Sequence, residues 1–166
     1  EKKFSKNKNV KILNLALGNN KSTKQFNLNL EPYSSSFNLI DYSSSYFKRK
    51  NKILNFFGFN TKIQSKNMKI ETLFDVFNEY NLNDIDLLKI DTEGYEYNIL
   101  LGIKDKIQNI KIIHFEHHYD NMLIKNYKIS DIHNYLVTNN FKKFFKIKMK
   151  FRKSFEYLYI NEKFFK

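Results

Sequence analysis

The segment Ile85-Asp86-Leu87-Leu88-Lys89-Ile90-Asp91-Thr92-Glu93-Gly94-Tyr95-Glu96 concentrates the chain's clearest chemistry. An apolar run with the character of a buried strand ends at two acids, Asp91 and Glu93, and a glycine follows before helical spacing begins. In open α/β sheets, ligands bind in the crevice beyond the carboxyl ends of the strands, and these acids stand at such an end. Two neighbouring carboxylates can act as base and hydrogen-bond acceptor, or hold a cation. A helix N-terminus attracts the same acids through capping and its dipole. Spacing alone therefore leaves a purely structural role open.

A second candidate is His114-Phe115-Glu116-His117-His118-Tyr119-Asp120. Strand alternation puts His114, Glu116 and His118 on one face and Phe115 and His117 on the other. If Asp91 and Glu116 end neighbouring parallel strands, both reach one crevice. His118 or Glu116 can then serve as acid, base or hydroxyl anchor, since imidazole exchanges a proton near neutral pH. A metal reading would take Asp91, Glu93, Glu116 and His118 as ligands, but no H-E-x-x-H or tight zinc spacing is present, and no metal is expected. A solvated, polar strand end would read the same way. The clusters Ser34-Ser35-Ser36 and Ser43-Ser44-Ser45 offer hydroxyls, yet no G-x-S-x-G elbow supports a nucleophile.

The positioning elements follow from hydrophobic period and punctuation. Residues 1–9 read as loop or the remnant of a helix. Residues 10–17 form an apolar strand closed by Gly18-Asn19-Asn20, and residues 25–30 form a second strand with one wet face. Residues 31–69 read as loops and short strands, with a strand over 63–70. A short amphipathic helix over 71–80 precedes the strand 85–90, which is expected to be buried on both faces of a parallel sheet. A helix over 95–102 and a strand over 110–115 come next. Ser130 is placed to cap a helix reaching 138. Residues 141–160 alternate bulky and basic residues, as two antiparallel strands around Arg152-Lys153-Ser154. The order is that of an α/β domain with no repeat and no dividing linker.

Composition excludes several classes. With 42% hydrophobic and 17% aromatic residues, a disordered chain is ruled out. No Cys is present, which removes disulfide scaffolds and thiolate chemistry. No apolar run approaches the roughly 20 residues of a membrane-spanning helix. The opening Glu1-Lys2-Lys3-Phe4 has no apolar leader behind it, and a cytoplasmic location is expected. The net charge of +12 suggests nucleic acid, but only Arg49 and Arg152 supply the forked guanidinium that reads phosphates and base edges. The remaining excess is Lys beside abundant Asn, Ile and Phe, a pattern that A/T-rich codons produce, and no specific nucleic-acid partner is expected. Only Gly18, Gly58, Gly94 and Gly102 occur, so no glycine-rich phosphate loop exists.

Residues 85–102 closely resemble the signature of the FkbM family of S-adenosylmethionine-dependent methyltransferases, D-L-L-K-I-D-x-E-G-x-E-x-x-x-L-x-G. Three flanking pieces agree in order: Ala16-Leu17-Gly18 with the family's A-L-G, Ile70-Glu71-Thr72-Leu73 with its T-L-D element (here Phe74 intervenes before Asp75), and Glu116-His117-His118 with its E-x-H. The likeness spans about residues 10–160. It implies a Rossmann-like class I methyltransferase fold, mostly parallel, with an antiparallel C-terminal hairpin. It also implies S-adenosylmethionine as methyl donor and transfer to a hydroxyl of a sugar, lipid-linked or natural-product acceptor. By position, Ala16 and Leu17 would lie near the adenine, Asp91 near the methionine end, and Glu93, Glu116 and His118 on the acceptor side.

The family's glycine-rich first motif and the acid after its second strand precede the strand that here begins near Val10. On that resemblance, residues 1–166 make a single domain lacking its first two βα units, expected to bind the donor poorly or not at all. Two other readings stay open. One is a non-catalytic basic α/β module for an anionic polymer or membrane surface; the other is an inactive methyltransferase fragment.

Overall fold

Period-two and helical apolar spacing resolve, in the computed structural model, into a mixed α/β chain. The described residues are 4, 7–29, 35–58, 63–150 and 153–165. In order they form β1 (Ala16–Leu17), β2 (Ser22–Asn29), β3 (Leu39–Ile40), α1 (Ser45–Phe56), β4 (Ile63–Glu71), α2 (Leu73–Glu79), β5 (Ile85–Ile90) and α3 (Glu96–Leu101). A 3-10 turn (Lys104–Asn109) leads to β6 (Ile110–His118), β7 (Leu123–Ile124), α4 (Ile129–Thr138), β8 (Phe141–Lys148) and β9 (Ser154–Asn161).

The described strands form three sheets, ordered β1-β4-β2, β3-β7 and β5-β6-β9-β8. Only β1/β4 and β5/β6 pair in parallel; the other pairs are antiparallel. The antiparallel C-terminal hairpin is present as β8 and β9, but the single, mostly parallel sheet is not the arrangement found. The edges of β1 and β5 do not meet. A cavity of about 470 Å³ lies between them, lined by Leu17, Leu88, Lys89, Ile90 and Asp91.

Two expectations change for the same reason. The apolar run over 10–17 joins a ladder only at Ala16 and Leu17, opposite Ile70 and Glu71. Residues 10–15 have no strand partner among the described residues, and apolar letters without a ladder do not make a strand. Likewise β5 is an edge rather than a central strand, and Leu87 is 53% exposed instead of buried. Within residues 31–69, read as loops and short strands, the 12-residue helix α1 appears, capped by the Ser44 side chain, which accepts from the Phe47 N–H. The Ser130 cap also moves. Ser130 lies inside α4, and Asp131 instead accepts the Lys128 N–H at 2.7 Å. Part of the Arg152-Lys153-Ser154 turn, and part of 1–9, lies outside the described residues.

The core forms where α3, α4 and the 3-10 turn cover β6 and β9. Leu100, Ile103, Ile110, Ile113, Ile132 and Leu136 are fully buried there. Phe115 stacks on Tyr157 and Tyr159, with ring centroids 5.3 and 5.9 Å apart. Such stacked pairs add to burial and fix the register of β6 against β9. A smaller cluster of Ile40, Met122 and Leu123 seats α1 through Tyr46 and Phe47.

Candidate functional site

β5 ends at Ile90, and the backbone then turns sharply through Glu93 and Gly94, both at positive φ (47° and 89°). Three side chains from two segments pin this turn. Ser36 Oγ donates to the Glu93 carbonyl at 2.9 Å, while Asn38 Nδ2 and the Tyr127 hydroxyl donate to the Gly94 carbonyl at 2.5 and 2.7 Å. A Cβ at Gly94 would meet Asn38 Nδ2 at 2.9 Å and both Leu123 and Lys125 at 3.3 Å. Glycine is thus required for conformation and for space. The left-handed Glu93, a rare state for a residue with a side chain, is held by its neighbours' hydrogen bonds.

That turn brings the Glu93 carboxylate to His118. The His118 Nε2 lies 3.2 Å from Glu93 Oε2 and 3.4 Å from Glu116 Oε1, and its Nδ1 lies 3.4 Å from Asp120 Oδ2. Glu116, His118 and Asp120 are buried. Burial works against a charged imidazole, but the Asp120 hydrogen bond and the fields of Glu93, Glu116 and Asp120 outweigh it, so His118 is held above its ordinary value. Burial pushes Glu93 up; His118 opposes this, Glu116 and Asp91 reinforce it, and Lys50 on α1 opposes it weakly. Burial would also raise Asp120, yet its bond to His118 and the Met122 N–H at 3.0 Å hold it below the usual carboxylate range. The arrangement is an imidazole among three carboxylates, with the proton affinities of both His118 and Glu93 raised above their ordinary values.

The opposite face of β6 carries a second pair. His117 Nδ1 lies 2.6 Å from Glu96 Oε1, and both side chains are buried. The Lys125 Nζ donates to the His118 carbonyl; burial lowers its pKa, and the fields of Glu96 and Asp120 pull back toward the cation. Burial, then Glu96, raises the Tyr127 hydroxyl. Sequence reasoning missed Glu96, His117, Lys125 and Tyr127 as a group. Alternation puts His117 on the same face as Phe115, which the structure buries, and a buried histidine needs a polar partner.

Ala16, Leu17 and Asp91 come together around one cavity of about 340 Å³, with Leu15, Phe26, Phe37, Met68, Thr92 and Ile99. The Thr92 hydroxyl there is shut from solvent and has no hydrogen-bond partner among the described residues. Asp91 links this cavity to the carboxylates, since its field is felt at Glu93. Other candidates are engaged elsewhere. His114 Nε2 faces Glu156 Oε2 at 3.3 Å. Ser36 and Ser44 hold backbone, and Ser43 bonds to Asp41 Oδ1 at 2.6 Å. Among the described residues, no group of three or more His, Asp or Glu side chains is arranged to hold a metal ion.

A mixed α/β chain with acids at strand ends beside an apolar cavity has the layout of a small-molecule binding site. The family model of the methyltransferase FkbM domain matches residues 1–144, and the chain belongs to that family. Comparisons with curated proteins and with solved structures give no match.

Proposed function

We propose that the chain serves methyl transfer from S-adenosylmethionine to a hydroxyl oxygen of a small-molecule or glycan acceptor. Family membership supports methyl transfer. The observation that carries the hydroxyl reading is the joining of Glu93, Glu116, Asp120 and His118 in one cluster, two residues along the chain from the Asp91 that lines a cavity with Ala16 and Leu17.

The cavity fits part of the donor. Phe26, Phe37, Leu17 and Ala16 offer an apolar wall for a purine face, and the unpartnered Thr92 hydroxyl suits a polar substituent. No glycine-rich loop lies among the described residues, so the fit covers the ring and the charge. Further strands paired on the open edges of β1 and β5 would complete the single sheet that the family resemblance implies.

When bound, S-adenosylmethionine supplies a methyl group on positively charged sulfur. The chain's own residues align and deprotonate the acceptor. Glu93 Oε2 takes the hydroxyl proton, because burial and the neighbouring carboxylates raise its proton affinity above that of an ordinary carboxylate. His118, whose proton affinity its carboxylate neighbours raise, stands within ion-pair distance of Glu93 and Glu116 and so orders both carboxylates. Asp91 adds negative charge where a cation would lie. In-line displacement then needs mainly alignment.

Transfer of labelled methyl to a panel of hydroxylated acceptors at saturating donor tests this reading. Glu93→Gln is expected to lower turnover by about 100-fold or more, with donor affinity retained. Unchanged turnover would remove Glu93 from the mechanism.

A further inference from the structure

Helix α1 buries none of its residues, and its outward face is chemically distinctive. Lys48, Arg49, Lys52, Ile53 and Phe56 recur at three- and four-residue spacing and are all exposed. Phe56 is 85% exposed, the most of any large hydrophobic side chain among the described residues, and Phe57 beside it is 69% exposed. Their rings meet edge to face at 5.4 Å. No acid occurs between Asp41 and Glu71, against seven Lys and Arg. A short helix whose solvent side joins bulky apolar residues to cations, with Asp41 felt by Lys48 at its start and no acid within it, has the make-up of an interfacial helix.

We propose that the outer face of α1 docks the protein on an anionic lipid bilayer. Phe56, Phe57 and Ile53 enter the headgroup boundary, while Lys48, Arg49 and Lys52 meet the acidic lipids. Charge complementarity selects the surface, and exposed aromatic rings select a bilayer over a nucleic acid, which would favour more than the one arginine on this helix. The other basic face, β8, is a weaker candidate, because Lys146 there already sits 4.3 Å over the Phe155 ring.

Docking has a consequence for the crevice. The inner side of α1 rests on the Ile40, Met122 and Leu123 cluster, and Leu123 also packs against the Gly94 turn. Lys50 on α1 is felt at Glu93. A bilayer on the outer face is therefore separated from the Gly94 turn by α1 and the cluster beneath it. The docking itself goes beyond the methyl-transfer reading and requires no turnover.

The chain contains no Trp, so Phe56→Trp supplies a unique fluorophore at the surface, and Phe144→Trp on exposed β8 supplies the control. Vesicles of phosphatidylcholine alone and of phosphatidylcholine with phosphatidylglycerol are titrated into each. The expected result is a blue shift for F56W with the anionic vesicles only, reversed by high salt, and none for F144W. The triple variant Lys48→Gln, Arg49→Gln, Lys52→Gln is expected to lose on the order of 100-fold in vesicle affinity, from about fivefold per basic residue. Circular dichroism confirms that each variant is folded; a variant that is not is replaced by the single change Phe56→Ser, which must lose binding as well. No shift for F56W, a shift for F144W instead, or tighter binding to duplex DNA that Phe56→Ser leaves intact would each overturn the proposal.

Discussion

His117 Nδ1 lies 2.6 Å from Glu96 Oε1 across the junction of β6 and α3, and neither side chain reaches solvent. This pair joins the strand that carries Glu116 and His118 to the helix that follows Glu93. It therefore ties together the two halves of the carboxylate crevice from behind. Removing one partner leaves a buried polar group without its complement. Glu96→Ala is expected to cost about 3–5 kcal/mol of unfolding free energy, measured by urea denaturation. A loss below about 1 kcal/mol would mean that the pair contributes little beyond packing.

Much of this architecture was legible in the letters. Strand β5 was bounded correctly, as were the helix after Gly94 and the C-terminal hairpin, because each has one apolar period and clear punctuation. Helix α1 was not, since Ile53 and Phe56 face outward while Tyr46 and Phe47 face inward. Apolar residues on both sides blur the period that marks a helix. The reverse error arose at residues 10–15, where an apolar run has no ladder. Asp91, Glu93, Glu116 and His118 were readable as strand-end polar residues. Glu96 was not, because it opens a helix and its partner lies 21 residues away on β6.

Gly94 offers a sharper test of the turn. Its φ of 89° and the 2.9 Å approach of Asn38 Nδ2 to a would-be Cβ both oppose a side chain. Gly94→Ala is expected to lower stability by about 2 kcal/mol, through backbone strain and displacement of Asn38. Thermal melting with the same stability as the unchanged protein would contradict the positive-φ turn.

The electrostatics of His118 give a pH dependence with a definite sign. Its folded value is raised above 6.5, so its stabilising contribution is complete below about that pH and is lost as pH rises through the folded value. Glu93, also raised, works in the same direction, because its charged form is disfavoured in the fold. The melting-temperature gap between the unchanged protein and His118→Asn is therefore expected to be widest on the acidic side of neutrality and to narrow toward alkaline pH. A gap that widens with rising pH would mean that His118 is neutral in the fold.

The central claim is that the cavity at Leu17 and Asp91 receives the methyl donor beside the Glu93 crevice. Amide NMR spectra of the chain, titrated with S-adenosylhomocysteine into the millimolar range, address it most directly, since they register weak binding by position. Shifts concentrated at Leu17, Asp91, Thr92 and Ile99 are the expected result. Shifts absent at millimolar ligand, or confined to residues remote from that cavity, would contradict the account.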